Sequence, residues 1–508
     1  MKKDVFILPA FALFYTIFHL LFYNTLEYHR DELFYYLYGN HLSAGYSTSP
    51  PLTGFVSFIL VNLFGYSQLA LKMVPAVTGG IMVMVTAEIS KELGGGPYAR
   101  ILSAVAFMAS IFALRTFSLY MPVQFDILFW SLCILLLLKY FNHPRSRYLT
   151  LLGVVAGLGL MNKYLIVLLF IVLLVIIPFT PHRDVFRKKL LYIGVGLAFI
   201  IFLPNLVWQI KHGLPGIRHI GMLYDDQLGH VDRLNFLMEQ LMMPFMASLL
   251  TVPGIIHLFS QGMKKFRWLG ITSLAVITIL LLIRGKHYYT LGVFPALIAA
   301  GAVMWEKVLK TRLVRAAFPV CLVAVTLPIL PMGIPVFKTE KLIQYFRMLD
   351  EKYGFEAGRR FEDGTIHSLP QDYADMIGWQ ELADLAGEAW QQTDNSDRCI
   401  IYCENYGQAS AIAVLGKKYG LPEPVSFHDS FLRWIPQNIN PEVDEFIYVN
   451  HELGPDVAEL FSDIREIGRI SNPHAREYGA QVYLCKKPVS NFYTFLNTRI
   501  SQVKQAYR

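Results

Sequence analysis

The sequence predicts a polytopic α-helical membrane protein that carries a polar α/β domain at its C-terminal end. Three observations predict this. Of 508 residues, 54% are hydrophobic and only 16% charged, and the mean hydropathy is +0.40; a soluble chain carries roughly 25% charged residues. Apolar runs long enough to cross a bilayer recur as far as residue 331. After Pro335 the composition turns polar. The net charge of +7 is modest. In a membrane protein it first reflects basic cytoplasmic loops, so no nucleic-acid partner is read from it.

Residues 5–23 open the chain as an apolar run. The run is long and lacks a small-residue cleavage site, so it reads as an uncleaved first helix rather than a signal peptide. About eleven spans of roughly twenty residues follow the bilayer-length criterion. Their limits are 5–23, 68–90, 99–115, 124–141, 148–161, 164–179, 189–208, 240–260, 268–284, 288–305 and 312–331. The basic turns are Lys2 and Lys3, Lys91 with Arg100, His143 to Arg147, Arg183 to Lys189, Lys264 to Arg267, and Lys307 to Arg312. They fall on alternate loops, which the positive-inside rule makes cytoplasmic. The loops 24–67, 116–123, 209–239, 285–287, the turn near 162 and everything after 332 are then outside.

The first outer loop has structure of its own. Glu32 to Ala44 reads as an aromatic-rich helix, broken by the Gly45-to-Pro51 stretch. Leu52 to Phe64 is apolar but short for a span, and fits an interfacial or re-entrant helix. Residues 1–335 are therefore expected to form a transmembrane domain that includes the loop 24–67, and 336–508 an extracytoplasmic domain. In that domain Arg398–Cys403, Glu445–Asn450 and Gln481–Leu484 read as strands. Gln408–Tyr419 and Asp456–Asp463 read as helices, and the alternation predicts an α/β fold. The five cysteines show no metal spacing. A disulfide among Cys399, Cys403 and Cys485 is compatible with the sequence but not implied by it.

Charged residues at the outer membrane surface are the candidates for chemistry, because ionisable groups at membrane depth are costly and mark function. Asp31 and Glu32 form an acidic pair in the first loop, beside His29 and Arg30. Arg115 ends the third span and Asp126 begins the fourth. Lys163, followed by Tyr164, lies at the turn between spans five and six, and Lys286, His287 and Tyr288 follow the ninth. Each has a plainer reading. Lys163 fits a lysine snorkelling from a span end, Asp126 fits a carboxylate at a helix N-terminus, and the acidic pair fits a solvated helix start. The outer cations carry more weight because they run against the positive-inside trend. Cations there suit an anion such as a lipid phosphate. Asp31, Glu32, Asp126 and His287 could also hold a divalent metal, although no helical ligand spacing supports it.

The stretch His29 to Tyr36, with Gly45-Tyr46 and Pro50-Pro51-Leu52, resembles the first-loop motif of bacterial membrane glycosyltransferases related to protein O-mannosyltransferases and lipid A aminoarabinose transferases. Gly157 to Tyr164 is similar to their Lys-Tyr turn. Pro204-Asn205, Trp208-Gln209 and His212-Gly213 are similar as well, as are Gly285 to Tyr289 with Pro295 and Tyr406 to Ala409. The resemblance covers nearly the whole chain. It implies a GT-C fold, a polyprenyl-phosphate sugar donor and an active site on the non-cytoplasmic face of the plasma membrane.

On that reading the chain is an inverting glycosyltransferase acting on a lipid, glycan or protein hydroxyl. Asp31 is the expected base, with Glu32 as runner-up. Lys163 and Lys286 are expected to hold the donor phosphate, with Arg115, His287 and Tyr288 as secondary contacts and Asp126, Tyr164, His29 and Arg30 in support. A transporter or flippase of a lipid-linked or anionic substrate is the rival. No inverted repeat or paired broken helix supports it.

Overall fold

The computed structural model describes residues 4–226, 228–436 and 439–506. The basic end residues Lys2 and Lys3 lie outside the described residues. The chain divides into two compact units. One comprises residues up to 23, 49–53 and 69–336; the other comprises 24–48, 54–68 and 337–508. The first-loop segments 24–48 and 54–68 thus fall in the same unit as the C-terminal part.

The first unit is helical. Among the described residues six helices are long and apolar enough to cross a membrane: Gln68–Glu92, Pro122–Asn142, Lys189–Lys211, Gln261–Leu282, His287–Val308 and Arg312–Met332. A seventh span is available if Arg233–Met242 and Phe245–Leu258, bent by 88° at their junction, count as one. Phe6–Leu20, Pro97–Met108, Arg147–Leu160 and Ile166–Phe179 are apolar but shorter. Every expected span therefore has a helix, but not every helix has the length of a span. The expected number of eleven is not reached by that measure.

Helices meet where glycine removes the side chain. Lys189–Lys211 crosses Arg147–Leu160 at Gly153 and Gly194, and a Cβ on Gly153 would stand 2.1 Å from the Gly194 carbonyl oxygen. Ser248–Leu258 meets Phe294–Val308 the same way, with a Cβ on Gly301 falling 2.0 Å from the Leu250 carbonyl. Without a hydrophobic drive between helices in lipid, such close backbone packing is a main source of association.

Several basic turns are tied to one another. Glu88 accepts from Lys139 at 2.8 Å and Lys91 at 2.9 Å, and Arg100 stands 3.9 Å away. Lys265 Nζ donates to Asn142 at 2.8 Å, and Glu306 accepts from the Gly96 amide at 2.6 Å. These contacts gather turns that the charge alternation assigned to one side.

The second unit is built on a four-stranded sheet of order β1-β2-β4-β3. Its strands are β1 (Cys399–Cys403), β2 (Glu445–Asn450), β3 (Phe461–Arg469) and β4 (Gln481–Pro488). β1 and β2 are parallel and the other pairs antiparallel. Phe446, Tyr448, Phe461, Tyr483, Phe492 and Leu496 share its aromatic core. Three strands match the expected runs. β3 does not: the expected helix Asp456–Asp463 stops at Leu460 and the chain turns into a strand. Cys399, Cys403 and Cys485 are free thiols. The first-loop helix spans only Arg30–Leu37, then tightens into a turn at Tyr38–Asn40 rather than running to Ala44. Leu52–Phe64 is a helix, as read.

Candidate active site

The expected acidic pair separates into two roles. His29 caps the helix Arg30–Leu37: its Nδ1 accepts the Asp31 amide at 3.1 Å. Glu32 Oε2 accepts the His29 amide at 3.0 Å, which closes a capping box. Glu32 is completely buried. Asp31, about 100° round the helix, is only half-buried, and its Oδ1 accepts the Tyr406 hydroxyl at 2.7 Å. The Arg30 guanidinium sits 4.3 Å from the centroid of the same tyrosine ring.

An ionic network stands behind this pair. Burial opposes the Glu477 charge, yet the His451 hydrogen bond, the Arg30 charge and the Gln408 amide together pull its carboxyl down to about 2. The contacts are 3.1 Å to His451 Nε2, 2.8 Å to Gln408 Nε2 and 3.2 Å to Asn405 Nδ2. Asp375 lies 3.9 Å from His29 Nε2 and 3.6 Å from Arg476 Nε, and burial pushes its carboxyl up against those cations. His428-Asp429-Ser430 spells a triad only in letters: Ser430 Oγ donates to Asp429 at 2.8 Å, and the His428 ring lies edge-on to Tyr406.

The cations belong to the first unit. The turn after Arg147–Leu160 is fixed by Asn162, whose Nδ2 donates to the Pro122 carbonyl at 2.9 Å. Tyr164 is fixed by its 2.6 Å bond to Asn205 Oδ1 and by Gln209 Nε2, which donates to its hydroxyl at 3.0 Å. Between them the Lys163 ammonium stands 4.5 Å from the Tyr289 ring centroid and 5.3 Å from that of Tyr288. Desolvation lowers its affinity for a proton, the Asp126 carboxylate opposes that, and the Lys286 charge adds to it. Asp126 is buried. Lys286 precedes the turn His287–Val293, which is locked by a 2.6 Å bond from Thr290 Oγ1 to Gln240 Oε1. Arg115 is exposed and within electrostatic reach of His287 and Glu239.

Lys163, Lys286, Asp126 and Tyr288 are therefore brought together within the first unit, with Arg115 and His287 beside Lys286. Asp31, Arg30 and His29 are brought together within the second, and Glu32 is drawn into the helix cap. Tyr289, Glu239 and Glu477 were missed by the sequence reading. Tyr289 was adjacent to Tyr288 in the same motif, and Glu239 is a lone acid in an apolar stretch, so both left a signal. Among the described residues no group of three or more His, Cys, Asp or Glu is arranged to hold a metal ion.

This architecture has relatives. The chain superposes on ArnT from Cupriavidus metallidurans, solved bound to undecaprenyl phosphate, with a TM-score of 0.63 over 94% of this chain and 97% of that one, at 14% identity. The fold is that of the GT-C glycosyltransferases. The apo form of the same GT-C protein superposes with a TM-score of 0.62. Residues 48–208 match the family described as dolichyl-phosphate-mannose-protein mannosyltransferase. Arg115, Asp126, Lys163 and Tyr164 lie inside that match. Lipid A galacturonosyltransferase RgtD of Rhizobium johnstonii is 24% identical over 232 residues, which are 43% of this chain. The matched stretch spans about half the length of that relative, 46%. The resemblance read from the sequence motifs is borne out by all three.

Proposed function

We propose that the chain is an inverting glycosyltransferase that moves a sugar from a polyprenyl-phosphate carrier to an acceptor hydroxyl of a lipid, glycan or protein. The observation that carries this reading is the Lys163 ammonium, desolvated against two tyrosine rings beside Lys286, on a fold whose relative was solved with undecaprenyl phosphate. A partly desolvated ammonium with a second cation beside it suits a phosphate better than a neutral ligand.

The acceptor oxygen forms a bond to the anomeric carbon while the bond from that carbon to the phosphate oxygen breaks. The acceptor proton passes to the Asp31 carboxylate, and the bonding electron pair leaves with the polyprenyl phosphate. General-base help of this kind is worth roughly 10²–10⁴-fold. Lys163 and Lys286 stabilise the charge that grows on the leaving phosphate, with Arg115, His287 and Tyr288 as further contacts. Asp126 and Tyr164 hold the lysine turn, and His29 and Arg30 hold Asp31. The reaction takes place at the extracytoplasmic face of the plasma membrane, with the N-terminus cytoplasmic and residues 336–508 outside. A divalent metal is not required by this scheme.

The test is turnover by the purified full-length protein in nanodiscs. It is given polyprenyl-phosphate sugars extracted from the source membranes, and released polyprenyl phosphate is counted by mass spectrometry. Release that depends on the protein and on added acceptor supports the reading. Movement of intact donor across the bilayer without release would favour the flippase.

A further inference from the structure

The Tyr406 hydroxyl points its hydrogen at Asp31, 375 positions away in the chain. We propose that Tyr406 is a positioning residue for the transfer reaction: it fixes the Asp31 carboxylate in one orientation and leaves its second oxygen to take the acceptor proton. This rests on the reading of Asp31 as the base.

Three features hold the tyrosine itself. Asn405 caps the helix Tyr406–Leu415, its Oδ1 accepting the Gly407 amide at 2.9 Å and the Gln408 amide at 3.1 Å, so the Tyr406 backbone is fixed at the first turn. Gly407 has no side chain because Arg30 occupies the space: a Cβ there would stand 2.6 Å from Arg30 Nε. Arg30 in turn lies over the Tyr406 ring, 4.3 Å from its centroid, a cation–π contact of about 0.5–2 kcal/mol. Burial, and then the Asp31 charge, keep the Tyr406 phenol well above its ordinary range, so the group stays a donor throughout.

The arrangement is one line of contacts. Glu477, anchored by His451, Gln408 and Asn405, attracts Arg30. Arg30 backs the Tyr406 ring, and the Tyr406 hydroxyl holds Asp31. None of the first three touches substrate in this account. A catalytic group must be held to within about 0.5 Å of its working geometry, and such supporting contacts do that.

The experiment uses full-length protein in nanodiscs with the same extracted donors. Tyr406→Phe keeps the ring over Arg30 and removes only the hydroxyl. We expect kcat to fall roughly tenfold or more, as outer-shell changes do, with unchanged donor KM and melting temperature. Tyr406→His, which keeps a ring and a donor, recovers part of the rate. Wild-type kcat in Tyr406→Phe, with Asp31→Asn inactive, would overturn the positioning role. Full activity in Asp31→Asn would overturn the role together with the reading beneath it. A purely structural contribution would lower the melting temperature and change donor KM along with kcat, which also overturns it.

Discussion

Glu32 closes a capping box on His29: its carboxylate accepts the His29 amide at 3.0 Å while the His29 ring accepts the Asp31 amide. This relationship distinguishes two neighbouring carboxylates that the sequence left as alternatives. A buried carboxylate committed to a helix cap is a poor general base, and its half-buried neighbour remains available. Glu32→Ala is expected to lower stability by about 0.5–2 kcal/mol. Glu32→Gln can still accept the His29 amide and keeps most turnover. A thermal melt of the two variants beside a turnover assay checks this; a dead, well-folded Glu32→Gln would give the base role to Glu32.

Lys163→Met should raise the apparent KM for donor about tenfold or more while leaving the melting temperature unchanged or higher, because a desolvated charge is removed. The pH dependence follows from the lowered lysine. Its charge is lost as pH rises through a value below the ordinary 10.5. Donor affinity therefore falls with rising pH earlier than for a solvated lysine, and Lys163→Met loses that dependence. A pH series of donor KM for both proteins measures it.

The Glu477–His451 pair predicts a stability profile in two parts. Glu477 is lowered to about 2, so its contribution is present above its unfolded value and is lost only as pH falls through about 2. His451 is raised by its bond to Glu477, so its contribution is full below 6.5 and is lost as pH rises through the raised value. Hydrogen exchange around Asn405–Gln408 should then speed up on the alkaline side of that value in the wild type, and be pH-flat after correction for intrinsic exchange in His451→Ala. Equal profiles would remove the histidine from the account.

Gly153→Val should block accumulation in the membrane or sharply lower the melting temperature, because its side chain meets the Gly194 backbone rather than a movable side chain. Overpacking of this kind costs typically 1–3 kcal/mol or more. The exposed position Gly196, with nothing within 4 Å of an added Cβ, is the control and should tolerate alanine.

Much of this was legible in the sequence, and the misses have physical reasons. The apolar runs marked all six helices that are long and apolar enough to cross a membrane among the described residues, because burial in lipid needs continuous hydrophobicity. β3 was missed because most of Phe461–Arg469 faces solvent, so its charged residues hid the strand pattern. The capping box went unseen because His29 stands where serine or threonine is usual. The lysine turn was visible as a cation on a loop that the alternation of basic turns reads as outer. The bond from Tyr406 to Asp31 was not, because no local spacing encodes a contact between residues so far apart in the chain.

The extracytoplasmic placement is tested by cysteine labelling in intact cells with a membrane-impermeant reagent. Both test positions, Asp184 and Asp363, are exposed. Asp363→Cys should label and Asp184→Cys should not; the reverse would put residues 336–508 in the cytoplasm.

The most direct test of glycosyl transfer is a single comparison of wild type and Asp31→Asn in nanodiscs, with extracted polyprenyl-phosphate sugars and an extract of envelope acceptors. Wild type is expected to release polyprenyl phosphate and to form a glycosylated product of inverted anomeric configuration. Asp31→Asn is expected to bind donor with unchanged affinity and to turn over at least roughly 10²-fold more slowly. Retained anomeric configuration, or wild-type turnover by Asp31→Asn, would contradict it.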